Sequence, residues 1–371
     1  GTVAGQPVTV DSRFDIASLT KLVATTAVVA SLRSERLFDF DDPVADALPL
    51  FARNGKGLVT VRQLLAHGSG LPAWLPLFRH AQTDAVASAI YPSTPNPAVP
   101  RAIAFDRARE QVVQAALTTP LAEPGARAYS DLGFIALGEW ISAVAGRELD
   151  AVCKERVFGP AGATATRFFD LRSVPMSPHT IVPTGRQRPR EPAPGQEGLY
   201  APSVAPERMD PGEVDDDNAY AMAGVAGHAG VFSTAEDVAR IGQTLLDDFS
   251  GAGVLASSDV LHEMFAPDTS VTGPVRGLGV DRVDPTGSSA GSRFGQAGPL
   301  GGVGHLGFTG CSLWIDLDRR AVAVLLTNRV FPGREHTQGI RALRPAFHDA
   351  VADLLDHGTE PMEITQKLTR G

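Results

Sequence analysis

Ser18 and Lys21 are the residues with the clearest chemical potential, three positions apart near the beginning of the sequence. Positions i and i+3 of a helix lie on one face, so the hydroxyl and the ammonium group would be neighbours. A serine becomes a nucleophile when a nearby group takes its proton, and a lysine this close can take it or tune another base. With 21 serines and four lysines in 371 residues, random placement predicts roughly 0.2 such pairs. The pair therefore indicates an activated serine nucleophile, with an ordinary helix turn carrying a solvated lysine as the alternative.

Tyr129 begins a second stretch that could serve the same reaction, Tyr129-Ser130-Asp131. A tyrosine at a helix N-terminus beside a lysine can have its phenolate stabilised and act as a base. The alternative is a half-buried tyrosine followed by an N-cap, either Ser130 or Asp131. The tripeptide alone favours that structural interpretation.

A glycine-dense stretch, residues 301–310, contains His305 and directly precedes an apolar segment predicted as a strand. Glycines at the entrance of a strand let another backbone approach closely, as an edge strand that receives a substrate would require. The alternative is a flexible turn with an incidental histidine. A phosphate-binding loop is excluded, because no Gly-Lys-Ser/Thr follows and the segment leads into a strand.

The elements that must position these groups can be predicted from apolar periodicity and capping residues. Residues 18–34 are apolar around the whole circumference and predict a central, buried helix whose dipole would favour a nucleophile at its first turn. Thr60 and Gln63 form a capping box for a short helix that ends at residues 67–70. Further helices are predicted over 106–116 and 130–146.

The second half of the sequence predicts a long loop followed by a mixed region. Prolines and three consecutive aspartates make 183–218 a long loop or lid. Ser233 and Glu236 form a capping box for a helix that reaches about residue 248. Apolar runs at 311–315 and 321–326 predict an antiparallel hairpin, and a helix over about 341–355 follows. This order predicts a sheet covered by helices, with a helical insertion.

Composition and charge narrow the function classes. The length fits one large bilobed domain or two closely joined ones, and a net charge of −9 with a pI near 5.5 argues against nucleic-acid and anionic-membrane partners. No apolar run approaches the roughly 20 residues of a membrane span. Cys153 and Cys311 match no metal or redox spacing, so buried thiols are expected, with one disulfide as an open alternative. A metal site built from Asp215, Asp217 and His228 has no ligand spacing to support it.

The sequence begins at Gly1 rather than at methionine, so we expect a processed, truncated or excerpted chain. The compartment stays open: the cytoplasm is favoured, and export is the alternative. The oligomeric state is not predicted.

The three motifs, in this order, resemble those of the class C β-lactamase-related serine hydrolases, a group that includes family VIII carboxylesterases and D-alanyl-D-alanine carboxypeptidases. The segments 14–21, 61–72, 224–235 and 307–316 also resemble that family, and the similarity covers most of residues 10–356. The resemblance implies an α+β, β-lactamase/transpeptidase-like fold, with an antiparallel sheet flanked by helices and a mostly helical insertion lobe. It implies one domain over 1–371, with an α/β lobe of about 1–50 and 220–371 and a helical lobe of about 51–219. No cofactor is implied.

The resemblance also assigns roles to individual residues. Ser18 would be acylated, while Lys21 would share its proton and lower the pKa of Tyr129. Tyr129 would act as the base in acylation and as the acid toward the leaving group. The backbone N–H groups of Ser18 and Phe308 would form the oxyanion hole, a contribution often worth several kcal/mol. Gly307, next to Phe308, is expected to be part of the same substrate-binding turn.

Two residues depart from the family pattern. His305 stands where many relatives carry the lysine of a Lys-Thr-Gly motif, and Asp131 stands where many carry asparagine. A histidine is mostly neutral at pH 7, and Asp131 adds a negative charge, so both changes favour a neutral ester or amide over an anionic substrate. The sequence therefore predicts a carboxylesterase-like hydrolase of small molecules. The alternatives are a β-lactamase or a D-Ala-D-Ala carboxypeptidase or aminopeptidase, an acyltransferase, and a non-hydrolytic binding module.

A third departure concerns the beginning of the chain. The family usually places a helix and one or two strands before the serine helix, whereas only 17 residues precede Ser18. We therefore expect part of the opening sheet edge to be missing, or the tail 356–371 to cover it.

Overall fold

The structure, a computed structural model, describes residues 2–3, 6–91, 94–173, 180–184, 212–284, 288–331, 334 and 337–357. The α-helices found there are α1 (Ala27–Ser34), α2 (Val61–Leu65), α3 (Phe78–Thr83), α4 (Arg101–Thr118), α5 (Asp131–Ala145), α6 (Leu149–Cys153), α7 (Asp217–Ala221), α8 (Ala235–Phe249), α9 (Ser258–Phe265) and α10 (Gln338–His357). The strands are β1 (Thr2–Val3), β2 (Gln6–Pro7), β3 (Phe14–Asp15), β4 (Arg167–Phe168), β5 (Val231–Ser233), β6 (Asp281–Arg282), β7 (Gly302–Leu306), β8 (Ser312–Asp316) and β9 (Ala321–Leu325). The 3-10 segments are Val44–Asp46, Pro49–Gly55 and Ala87–Ile90, and the π-helical segments are Lys21–Thr26 and Lys154–Phe158.

The described strands form three antiparallel sheets. The largest has the order β6-β7-β8-β9, and its β7–β8 register pairs Gly304 with Trp314 and His305 with Leu313. A second sheet, β3-β5-β4, joins the strand that precedes Ser18 to the strand that precedes α8. The third is the small β1–β2 pair. Antiparallel sheets combined with many helices confirm the predicted α+β class.

The central helix is buried, as its all-round apolar pattern predicts. Its first part, Lys21–Thr26, has π-helical turns with all six residues buried, and it continues as α1, in which residues 27–32 are buried. Ser18 and Lys21 therefore stand where the chain enters the core. Such a position holds side chains more rigidly than a surface turn does.

The two faces of the main sheet pack against different helices. Leu313 and Ile315 of β8 belong to the main hydrophobic core, which also holds residues of the central helix and α8. Trp314, which alternation places on the opposite face, packs with Phe294 and with Ala352 of α10 in a smaller cluster. The sheet is therefore covered by helices on both faces.

The helical predictions hold in type, with shifts in length. The helix predicted over 106–116 is α4, which runs from Arg101 to Thr118. The helix predicted over 130–146 is α5, with Ser130 as its N-cap and Gly146 ending it at a φ of 64°, a conformation that glycine adopts without strain. Strand β4 lies within the range predicted for the helical lobe yet pairs with β5. The lobe boundaries themselves stay a prediction.

Three local predictions need correction. The glycine-dense stretch does not only precede a strand, because Gly302–Leu306 within it is itself strand β7, and the alternative of a flexible turn is wrong for these residues. The capping residue of α8 is Thr234, whose side chain accepts from the N–H of Asp237, so the predicted capping box of Ser233 and Glu236 is wrong. The predicted loop 183–218 ends earlier, since α7 begins at Asp217, and residues 185–211 lie outside the described part.

The remaining predictions agree with the structure where it can be compared. The Thr60–Gln63 capping box is present, β8 and β9 form the predicted antiparallel hairpin, and the last helix is α10. Cys153 and Cys311 are buried free thiols. Of the tail 356–371, only the first two residues are described. In the described ranges we find no helix with the length and apolarity that a membrane crossing requires.

Candidate active site

Ser18 lies in a tight turn between β3 and the central helix. The carboxylate of Asp15 accepts a hydrogen bond of 2.8 Å from the backbone N–H of Ala17, and Ala17 has a φ of 48°, a left-handed value that few residues other than glycine adopt. Lys21 Nζ lies 2.9 Å from Ser18 Oγ. The contact predicted from the i, i+3 spacing is therefore present, on a turn held in a strained conformation.

Three oxygen atoms surround the ammonium group of Lys21. Besides Ser18 Oγ, it contacts the backbone carbonyl of His228 at 3.0 Å and Asp131 Oδ1 at 2.7 Å. Burial favours the neutral amine, but the attraction of Asp131 and Tyr129 outweighs burial, and the pKa of Lys21 is raised. Lys21 is therefore a protonated ammonium in the resting site.

Tyr129 lies against Lys21, whose Nζ is 5.1 Å from the centre of the phenol ring. Burial raises the pKa of Tyr129; the charge of Lys21 and hydrogen bonds with Ser18 and Lys21 lower it, whereas Asp131 raises it further. The net pKa is raised, so the expectation that Lys21 holds it below its usual value is wrong. The physical reason is that burial disfavours the phenolate more than Lys21 stabilises it, and the charge of Asp131 adds to the increase. Tyr129 is a neutral phenol at rest.

His67 fixes the orientation of Tyr129. Its ring lies 4.5 Å from the Tyr129 ring, centre to centre, and its Nδ1 accepts a 3.0 Å hydrogen bond from the N–H of Ser130. Burial and the charge of Arg276 lower the pKa of His67 well below its usual value, so the imidazole stays neutral and keeps this acceptor. His67 follows α2 directly, and its side chain binds the backbone N–H of the residue that caps α5.

His305 is buried on β7, with its ring centre 5.8 Å from that of Tyr129. Its Nδ1 lies 2.8 Å from the carbonyl oxygen of Leu306, a contact in which Nδ1 is the donor. Burial and the charge of Lys21 lower the pKa of His305 to about 3. The residue is therefore neutral at pH 7, as the sequence predicts.

The turn that carries Gly307 and Phe308 packs directly against the chain before Ser18. Thr309 Oγ1 donates to the carbonyl of Asp15 at 2.7 Å, and a Cβ on Gly307 would lie 2.4 Å from the carbonyl oxygen of Ile16. Only glycine allows this approach. In the described part of the chain, the backbone N–H groups of Ser18 and Phe308 donate to no protein acceptor. Both are therefore free to bind a substrate oxygen.

A family model named Beta-lactamase matches residues 2–346. The chain belongs to the β-lactamase family. It is also 30% identical over 338 residues to the "Putative D-alanyl-D-alanine carboxypeptidase" of Escherichia coli (strain K12), with 87% of this chain and 71% of that protein covered. This family consists of serine hydrolases, which agrees with a nucleophilic Ser18.

Solved structures show the same fold at lower sequence identity. A penicillin-binding protein homologue from Caulobacter crescentus superposes with a TM-score of 0.63 at 20% identity, with 94% of this chain and 85% of that chain covered. EstCE1, described as a hydrolase with promiscuous acyltransferase activity, gives a TM-score of 0.63 at 22% identity, with 94% and 87% covered. The β-lactamase/transpeptidase-like fold is therefore shown.

In this β-lactamase-family chain, the acidic residues near the site are already engaged. Asp215 and Asp217 both face Arg334, while His228 Nε2 lies 2.9 Å from Asp216. Among the residues that the structure describes, no group of three His, Cys, Asp or Glu side chains could hold a metal ion. His228 contributes to the site through its backbone carbonyl, a role that its side-chain type could not have revealed.

Proposed function

We propose that this chain is a serine hydrolase that cleaves small, neutral esters or amides through an acyl-enzyme on Ser18. The observation that carries the proposal is the 2.9 Å contact of Lys21 Nζ with Ser18 Oγ, beside Tyr129. It is supported by the backbone N–H groups of Ser18 and Phe308, which donate to no protein acceptor in the described part of the chain. The combination supplies a nucleophile, a proton carrier and an oxyanion hole in one place.

The reaction would proceed in two halves. Ser18 Oγ attacks the carbonyl carbon while its proton passes to the phenolate oxygen of Tyr129, and the N–H groups of Ser18 and Phe308 bind the oxyanion. The tetrahedral intermediate collapses as Tyr129 returns the proton to the leaving group, and water then repeats the sequence on the acyl-enzyme. Because Tyr129 and Lys21 are both protonated at rest, the site must first release one proton, and activity should rise with pH.

The charges around Tyr129 favour a neutral substrate. Lys21 is paired with Asp131, and Arg276, whose guanidinium lies 5.3 Å from the Tyr129 ring centre, is paired with Asp281. His305 adds no charge at pH 7. A substrate carboxylate would therefore have to compete with carboxylates that already occupy both cations.

A second candidate is cleavage of a D-alanyl-D-alanine-type amide. It is favoured by the 30% identity over 338 residues with the Escherichia coli protein of that name. Acyl transfer to an alcohol or amine shares the first half-reaction. Acyl transfer as a further outcome is supported by the fold that this chain shares with EstCE1.

A direct test is incubation with a short-chain p-nitrophenyl ester and, separately, with a chromogenic cephalosporin, with product release and intact mass followed together. The proposal predicts ester turnover that is lost in Ser18→Ala, a mass increase of one acyl group on the wild type, and little cephalosporin hydrolysis. Faster turnover of the cephalosporin would favour the second candidate. Ester turnover that survives in Ser18→Ala would refute the assignment of the nucleophile.

A further inference from the structure

Arg344 is a buried cation on α10, behind the turn that contains Gly307 and Phe308. Arg344 is 9% exposed, and in the described ranges its guanidinium forms no ion pair with a carboxylate. Its Nη2 instead donates to the carbonyls of Gly307 at 2.6 Å and Cys311 at 2.8 Å. Burial lowers the pKa of Arg344 to about 10. A cation held away from water without a carboxylate partner costs free energy, which contacts with carbonyls only partly offset.

One of these carbonyls belongs to the peptide group of the oxyanion hole. The carbonyl of Gly307 and the N–H of Phe308 are the two ends of a single planar, conjugated unit. A guanidinium on the carbonyl oxygen draws electron density from the nitrogen, so the N–H becomes a stronger donor. The Phe308 N–H is the donor that we assign to the developing oxyanion.

We propose that Arg344 is a positioning residue of the oxyanion hole, which holds the Gly307–Phe308 peptide in place and polarises its N–H toward the substrate. The inference rests on the proposed function. The competing interpretation is that Arg344 only ties α10 to the β7–β8 turn.

Arg329 provides a matched comparison within the same turn. Its Nε donates to the carbonyl of Phe308 at 2.7 Å, and its guanidinium lies 4.3 Å from the centre of the Phe308 ring. Arg329 thus also restrains the turn through a guanidinium group. It binds the carbonyl of the Phe308–Thr309 peptide, however, whose N–H belongs to Thr309. Removing either arginine loosens the turn, whereas only Arg344 acts on the Phe308 N–H.

The expected change in kcat follows from the contribution that one oxyanion donor makes to the rate. Loss of one direct donor typically lowers kcat by about 10²–10³-fold, and a polarising neighbour changes a hydrogen bond by about 10–30%. Arg344→Met should therefore lower kcat for an ester by roughly 2- to 8-fold through the Phe308 N–H alone. KM should change less, because the donor acts mainly on the transition state.

The kinetic test compares an ester with the thionoester of the same acyl group. Sulfur accepts hydrogen bonds weakly, so the thionoester gains little from a polarised donor. Arg344→Met should lower the ratio of ester to thionoester kcat, whereas Arg329→Met should leave the ratio unchanged even if both rates fall. An unchanged ratio in Arg344→Met, or the same change in both variants, would show that Arg344 only braces the turn. The ratio does not depend on the folded fraction of either preparation.

A spectroscopic test needs no turnover. The sequence contains only two Gly-Phe pairs, Gly133–Phe134 and Gly307–Phe308, so protein labelled with carbonyl-¹³C glycine and ¹⁵N phenylalanine gives two linked amide signals. Arg344→Met should shift the Gly307 carbon and Phe308 amide signals, with the Gly133–Phe134 pair in α5 unchanged. Arg344→Lys, which keeps a cation, should shift them less and provides a second variant if the methionine variant unfolds.

The two measurements separate the possible failures. Signals at Gly307 and Phe308 that do not move when Arg344 is replaced would overturn the proposed polarisation, whatever the enzyme hydrolyses. A shift without any change in the ester-to-thionoester ratio would overturn its catalytic role. Wild-type protein that turns over neither ester and acquires no acyl group would refute the proposed function itself, while the signals would still decide whether Arg344 polarises this peptide.

Discussion

Replacing Asp131 by asparagine should make the site active at lower pH. Asp131 Oδ1 lies 2.7 Å from Lys21 Nζ, with side-chain exposures of 16% and 0%. At this distance the attraction between unit charges is about 1.5 kcal/mol at the dielectric constant of water and about 6 kcal/mol at an effective value of 20. At 1.36 kcal/mol per pKa unit, this corresponds to a change in the pKa of Lys21 of about 1 to 4.5 units. Asp131 also raises the pKa of Tyr129, so both proton carriers should shift downward.

The assay is the pH dependence of kcat/KM for a p-nitrophenyl ester, whose acidic limb reports the group that must lose a proton in the free enzyme. In Asp131→Asn, the apparent pKa of this acidic limb should fall by at least about one unit. As a control, Asp247→Asn on α8 removes the same charge from an exposed ion pair with Arg320, and the pH of the acidic limb should not change. An unchanged limb in Asp131→Asn, or an equal shift in the control, would refute the reasoning.

Stability provides an internal check on this prediction. If Lys21 kept its proton in Asp131→Asn, an uncompensated buried cation would cost about 3–5 kcal/mol of unfolding free energy. If Lys21 instead releases its proton as the pH rises, the loss should be smaller. Urea unfolding at pH 6 and pH 9 should therefore show a larger deficit at the lower pH.

Three further substitutions test the supports of the site. Gly307→Ala should lower kcat by on the order of 100-fold with less change in KM, because the added Cβ would lie 2.4 Å from the carbonyl oxygen of Ile16. The rate of acylation can be followed by intact mass, with circular dichroism as a check of folding. Burial raises the pKa of Asp15 from 3.8 to about 7. The protonated carboxyl group should therefore stabilise the fold fully below about pH 4. Up to about 4 kcal/mol of this unfolding free energy should be lost as the pH rises from there through 7. Asp15→Asn should lack this slope in urea unfolding at several pH values, and an identical slope would contradict the assignment. His67→Phe keeps a ring against Tyr129 but leaves the N–H of Ser130 without its acceptor. The unfolding free energy should therefore fall by about 1–3 kcal/mol. Wild-type stability in this variant would show that the hydrogen bond contributes nothing.

The sequence predicted the elements of the fold better than the electrostatics of the site. Apolar periodicity and caps identify the central helix, α5 and the β8–β9 hairpin, because these patterns depend on residues close together in the chain. The i, i+3 spacing likewise predicts that Lys21 reaches Ser18. The direction of the Tyr129 pKa shift was wrong, since it depends first on how completely the folded chain buries the phenol and then on the charge of Asp131, and burial is a property of the tertiary structure.

Roles that are carried by backbone atoms were also invisible in the sequence. The carbonyl of His228 binds Lys21, and the carbonyl of Gly307 binds Arg344, although any residue type can supply a carbonyl. His67 was noticed only as the end of α2, because its contact with the N-cap of α5 requires the packing of two helices. Such contacts follow from the tertiary structure and leave no local pattern.

The π-helical segment Lys21–Thr26 determines where in the central helix a one-residue deletion would preserve the direction of Ser18. A π turn holds more residues than an α turn, and such segments often mark functional sites as one-residue expansions of an α-helix. Ser18 precedes the expansion, and the buried face of α1 follows it. Deleting one residue within 22–26 should restore regular α-helical turns and leave Ser18 in nearly the same direction relative to that face, because the π segment already accommodates one residue beyond the α-helical number. The same deletion within α1, which has no expansion to absorb it, would instead rotate Ser18 by about 100° relative to the turns that follow, so that its hydroxyl would point away from the oxyanion hole.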